Sequence, residues 1–144
     1  MRIAKYQTIL VKEQGFNYDT KITNSEEMAT FLCDCFHADM MPTEHLWQIC
    51  FNNKGKVIGV FEVGHGGIAH CNIEPAAVAR NAILTNAASV IIAHNHPSGD
   101  TRPSNEDIVL TKRLHKALEL LGIRLNDHII LGEGYTSLAN QGIL

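Results

Sequence analysis

Long apolar runs are missing from this 144-residue chain. No stretch approaches the ~18–20 apolar residues that a bilayer crossing needs. The opening Met1-Arg2-Ile3-Ala4-Lys5-Tyr6 turns polar too early for the apolar core of a signal peptide. Both absences predict a cytoplasmic protein with no membrane role. Cysteine is scarce: Cys33, Cys35, Cys50 and Cys71 contain no Cys-x-x-Cys and are too scattered for a disulfide scaffold. Buried, reduced thiols are expected, because free cysteine is among the most buried residue types. An excess of basic charge is missing too, with 12 Lys and Arg against 15 Asp and Glu, a net charge of −3. A dedicated nucleic-acid binder shows the opposite balance, so nucleic acid is a partner the charge does not favour. Repeats, low-complexity tracts and Pro/Gly/Ser linkers are also absent, which predicts one continuous domain.

What remains is an ordinary globular composition, 45% hydrophobic and 19% charged, long enough to bury a core without disulfides or a structural metal. Eight histidines are the surplus. Ile3 to Val11 has strand composition. Thr23 and Glu26 have capping-box spacing, and Met28, Phe31, Leu32, Cys35 and Phe36 then form one helical stripe. Cys33 and Cys35 would lie about 200° apart on that helix, unable to grip one metal. Glu44 to Phe51 and Lys56 to Val63 flank the turn Asn52-Asn53-Lys54-Gly55 and read as a hairpin. Pro75 opens a helix running to about Asn86, with Val78, Ala82 and Ile83 inward. Ser89 to Ala93 is a short apolar run with the pattern of a strand covered on both faces. A helix from about Ser104 to Leu121 stops at Gly122, and His128 to Leu131 makes a last core strand before a short tail. The alternation predicts an α/β (α+β) fold: a single mixed β-sheet with helices on both faces, and a site in the loops beyond strand ends. Residues 1–42 supply an N-terminal strand and helix, and residues 43–144 supply the core.

The informative stretch is His94-Asn95-His96-Pro97-Ser98-Gly99-Asp100-Thr101-Arg102-Pro103-Ser104-Asn105-Glu106-Asp107. Residues two apart in an extended chain point to one side, so His94 and His96 can converge. Asp107 follows in the first turn of the next helix, three residues after its cap, Ser104. Two imidazoles and a carboxylate, with a fourth position left for water, have the ligand pattern of a catalytic zinc site. Each piece has an ordinary structural explanation when taken alone. Histidines hydrogen-bond at strand ends, and Ser-x-x-Asp is a common helix cap.

Together, the His-x-His-x7-Ser-x-x-Asp spacing resembles the JAMM motif of the JAB/MPN metalloprotease superfamily. The sequence His-Asn-His-Pro-Ser-Gly followed by Pro-Ser-x-x-Asp is similar to its RadC-like branch. Asp127-His128-Ile129-Ile130, with Gly132 and Ser137 beyond, resembles that branch's C-terminal pattern. The resemblance runs from about Thr43 to Leu144. It implies an MPN/JAB-like sheet of cytidine-deaminase-like architecture, with Zn2+ held by His94, His96 and Asp107. It also implies a general base at Glu44 and an oxyanion donor at Ser104. The implied activity is hydrolysis of peptide or isopeptide bonds by a zinc-activated water, with a peptide or protein as substrate. Glu44 opens a strongly apolar strand and so belongs at a sheet end, where a solvated carboxylate is the plain alternative. Asn95 and Ser98 are expected to shape the loop and orient the ligands.

Two departures from the branch's pattern touch substrate recognition. Gly64-His65-Gly66-Gly67 stands where Gly-Thr is usual, and Glu74-Pro75-Ala76 where His-Pro-Arg is usual. His65, His70 and Cys71 are also candidates for a second metal site. The branch's helix-hairpin-helix segment is not expected in the residues before Glu44. A deaminase would need Pro-Cys-x-x-Cys, which does not occur. A DNA-repair or DNA-binding role and a non-catalytic MPN interaction module remain as alternatives.

Overall fold

Strand β1 (His45–Phe51) runs antiparallel to β2 (Val57–His65) on one side and to β3 (Ser89–Asn95) on the other. This arrangement comes from a computed structural model that describes residues 1, 3–18, 21–66 and 73–144. β3 pairs in parallel with β4 (Arg124–Gly132), and β4 pairs antiparallel with β5 (Gly134–Ser137). The described residues thus form a five-stranded mixed sheet in the order β2-β1-β3-β4-β5. Three helices cover it, α1 (Ser25–Phe36), α2 (Pro75–Leu84) and α3 (Asn105–Leu120). No described helix is long and apolar enough to cross a membrane.

Strand alternation sorts the core into two layers. On one face Trp47, Ile49 and Phe51 of β1, with Ala93, Ile129 and Leu131, meet Met28, Phe31 and Leu32 of α1. On the other, Leu46 and Cys50 with Val90, Ile92 and Leu125 meet Val78 and Ala82 of α2 and Leu114 and Leu118 of α3. The expected mixed sheet with helices on both faces is therefore present. Gln48 is fully buried on the second face. Its amide donates to Val78 O at 2.8 Å and accepts from Asn81 Nδ2 at 3.1 Å, so no polar atom there lacks a partner.

Several local expectations are corrected. Ile3 to Val11 forms no strand, and Ile3, Tyr6, Ile9 and Val11 are exposed. High β-propensity without a neighbouring strand edge buries nothing. The cap of α1 falls one residue later than Thr23: Asn24 Oδ1 accepts from Glu27 N at 2.9 Å, and Glu27 reaches back to Thr23 N at 2.6 Å. On α2, Ile83 faces solvent at 54% exposure, because the inward stripe is set by Val78 and Ala82 four residues apart. β4 starts four residues before His128, and β5 is an additional strand. Cys50 is buried as expected, but Cys33 and Cys35 are only half-buried. Cys71 lies outside the described residues.

The end of β4 is held tightly against the loop that follows β3. His96 N donates to Leu131 O at 2.7 Å and Glu133 N to Gly99 O at 2.8 Å. A Cβ on Gly132 would sit 2.5 Å from Gly99 O and 2.8 Å from Gly99 C, both backbone atoms. Gly99 itself has φ of 87°, a conformation that suits glycine. Gly132→Ala is therefore expected to destabilise the protein by about 1–3 kcal/mol, the usual cost of overpacking. A urea midpoint unchanged from wild type would show that the loop yields freely.

Candidate metal centre

His94 lies one residue before the end of β3, on the face that carries Val90 and Ile92, and His96 follows two residues later. α3 lies across the same face, burying Asp107, Thr111, Leu114 and Leu118 along one stripe. Burial of Leu114 and Leu118 fixes the helix, and its first turn then brings Asp107 onto the two imidazoles. His94 Nε2 and His96 Nε2 are 2.9 Å apart. Asp107 Oδ1 lies 3.3 Å from the first and Oδ2 3.5 Å from the second. One ligand atom from each residue can be chosen so that all lie within 4.8 Å of one another. His94 and Asp107 are buried, and His96 is partly open.

The proton positions suit a cation. His96 Nδ1 meets the carbonyl of Asp100 at 2.6 Å. A carbonyl only accepts, so Nδ1 carries the proton and the neutral ring turns an Nε2 lone pair toward Asp107. The Asp107 carboxylate is also an acceptor. Burial alone would favour its neutral form, but the neighbouring His94 and His96 rings, with the Ser104 N–H, hold it far below the ordinary carboxylate range. Burial pushes His94 down, whereas the adjoining Asp107 carboxylate favours the protonated form of the more open His96 and raises it. Acceptors this close need a positive charge among them. The residues present therefore fit a divalent ion: this group could hold one.

Ser104 is the N-cap of α3. Its Oγ accepts from Asp107 N at 3.1 Å, and Ser104 N donates to Asp107 Oδ2 at 2.8 Å. This reciprocal box ties the cap to the orientation of the carboxylate. The cap uses a lone pair of Oγ and leaves the hydroxyl proton for another acceptor. Ser104→Ala is expected to cost about 1 kcal/mol of stability as a lost cap. Ser104→Asp restores a capping oxygen, so its melting temperature should stay within a few degrees of wild type.

Glu44 lies immediately before β1 and is half-buried. Its charge acts on both imidazoles, favouring their protonated forms. Asn95 brackets it: Asn95 Oδ1 accepts from His45 N at 2.7 Å, and Asn95 Nδ2 donates to Thr43 O at 2.9 Å. Asn95 therefore fixes the backbone on either side of Glu44 instead of hydrogen-bonding a ligand, which corrects the sequence expectation. Ser98 Oγ accepts from Asp100 N at 3.4 Å and belongs to the turn. Arg102 pairs with Asp100 and holds its carboxyl down at about 2. A cleft of about 400 Å³ opens beside His96, lined by Met40, Met41, Asn95, Ser98 and Glu133 among others.

Of the second-site candidates, His65 stacks on His45 with ring centroids 6.1 Å apart, while His70 and Cys71 lie outside the described residues. Among the described residues, His94, His96 and Asp107 are the one group arranged for a metal. Two buried residues behind the group carry no signal in the motif spacing. His128 Nε2 lies 2.7 Å from His94 Nδ1, and Thr111 Oγ1 lies 2.6 Å from His128 Nδ1. Burial pushes His128 well below the ordinary histidine range, with the neighbouring His94 acting the same way.

The family model for the RadC-like JAB domain matches residues 22–143. A UPF0758 protein of Porphyromonas gingivalis is 42% identical over 106 residues, covering 72% of this chain and 47% of that protein. A UPF0758 protein of Clostridium acetobutylicum is 42% identical over 125 residues, covering 86% and 54%. One of Moorella thermoacetica is 38% identical over 126 residues, covering 87% and 54%. The chain spans about half the length of the curated relatives it matches.

Proposed function

Because the chain belongs to the RadC-like JAB domain family, we propose that it is a zinc-dependent hydrolase of peptide or isopeptide bonds, acting on a peptide or protein. The observation that carries this reading is the meeting of His94 Nε2, His96 Nε2 and the Asp107 carboxylate at one half-open point. Two imidazoles in the donor set favour zinc over magnesium. A zinc ion held by these three residues would supply Lewis-acid activation of water at neutral pH.

The remaining chemistry belongs to the chain. Glu44, held by the Asn95 bracket, takes a proton from the attacking water on its carboxylate and returns it to the leaving amine. Ser104 Oγ–H donates to the carbonyl oxygen as that atom gains charge, while its lone pair keeps the helix capped. The His96 cleft, bordered by Met40 and Met41, gives an extended segment room to approach. Metal analysis beside a peptide and isopeptide hydrolysis assay tests the reading. About one zinc per chain with amide hydrolysis is the expected result. Zinc without hydrolysis would favour an interaction module, and no zinc uptake would remove the site.

A further inference from the structure

We infer that His128 and Thr111 are positioning residues of this centre, forming a buried hydrogen-bond chain that fixes His94 as the Nδ1–H tautomer and frees its Nε2 lone pair for the metal. The inference rests on the reading of His94, His96 and Asp107 as metal ligands, and adds two residues that lie outside the His-x-His-x7-Ser-x-x-Asp spacing. The direction of the chain follows from its far end. Thr111 Oγ1 lies 2.6 Å from the main-chain carbonyl of Asp107, and two oxygens that close need a proton between them. The carbonyl has none, so the threonine hydroxyl donates its single proton there.

Thr111 Oγ1 is then left with lone pairs toward His128 Nδ1, 2.6 Å away, so Nδ1 must carry the ring proton of His128. A neutral His128 consequently offers an Nε2 lone pair to His94 Nδ1 at 2.7 Å. His94 must donate across that contact, which leaves its Nε2 unprotonated and facing Asp107 Oδ1 and His96 Nε2. Reversing the chain would set the threonine lone pairs against the Asp107 carbonyl oxygen. His94, Thr111 and His128 are each 0% exposed, so solvent does not reset the order. A metal-bound histidine ordinarily gives its other N–H to a carboxylate, a carbonyl or water. Here the acceptor is a second imidazole, and the chain ends on the backbone of another proposed ligand, Asp107. The ring His94–His128–Thr111–Asp107 ties β3, β4 and α3 together behind the centre.

The test combines imidazole ¹⁵N–¹H long-range correlation spectra of the zinc-loaded wild type with zinc competition against a chromophoric chelator. His94 is expected to show protonated Nδ1 and metal-bound Nε2. Thr111→Val and His128→Phe keep the shape but break the chain, and each should weaken zinc binding about 10–100-fold. His128→Gln, whose amide can accept from His94 and donate to Thr111, should stay within a few-fold of wild type. Wild-type affinity in both Thr111→Val and His128→Phe, or a His94 bound through Nδ1, would overturn the inference while leaving the metal centre standing. A wild type that takes up no zinc would overturn the metal reading and the inference with it. Should the His128 variants fail to fold, the wild-type spectrum and Thr111→Val decide the matter.

Discussion

Asp107→Asn is expected to empty the centre of zinc while leaving the fold intact. The amide oxygen can still accept from Ser104 N, as the carboxylate does at 2.8 Å, so the capping box survives. What disappears is the negative charge between His94 and His96, and with it the anionic ligand. Zinc affinity should fall by more than the roughly 10–100-fold that losing a supporting partner costs. Asp107→Ala should lose zinc equally and also lose the carboxylate half of the cap, so its melting temperature should drop below that of Asp107→Asn. Zinc analysis of the two variants after the same chelator wash, beside thermal melts, separates ligation from capping. A full complement of zinc in Asp107→Asn would place the ion elsewhere.

Glu44→Gln should give the second large effect, this time on rate alone. The backbone around residue 44 is held by the Asn95 amide on both sides, and Glu44 O accepts from Gly66 N at 2.8 Å. An isosteric amide therefore keeps its place but cannot take a proton from water. Zinc content should match wild type while hydrolysis falls by ~10²–10⁴. A Glu44→Gln protein as active as wild type on the same substrate would remove the residue from the proton path. Asn95→Leu, which releases the bracket but leaves the carboxylate, should fall between the two.

The parts of the fold that were readable from residues are those with short-range causes. Alternation carried one residue past the end of β3 places His94 and His96 on one side, and the Ser104–Asp107 spacing marks the start of α3 and the carboxylate together. Ile3 to Val11 shows the limit of propensity: Tyr, Thr, Ile and Val favour extended backbone, but pairing needs a partner edge, which no local pattern supplies. The short, glycine-led β5 has too few residues to show a period. His128 is visible as part of a C-terminal pattern, but its partnership with His94 is not. Its contact with His94 spans 34 residues and depends on the parallel register in which His94 sits opposite Ile130. Asn95 illustrates the same point, because its partners lie about 50 residues earlier on a neighbouring strand.

The two-sided burial of β3 also governs which changes in chain length the molecule can survive. Even-numbered positions Val90, Ile92 and His94 look toward α2 and α3, while Ala93 looks toward α1. Deleting one residue ahead of His94 would exchange the two sets. Asn95 would take the ligand's place, His94 would turn into the layer under α1, and the hold on Glu44 would be lost. Exchange of a side chain is far milder, particularly at half-buried Ile91. Insertions and deletions should therefore be accepted in turns such as Asn52–Gly55, which touch no candidate ligand, and rejected throughout β3. A length-scanning library selected for folding and zinc retention would reveal that boundary as an abrupt edge at Ser89.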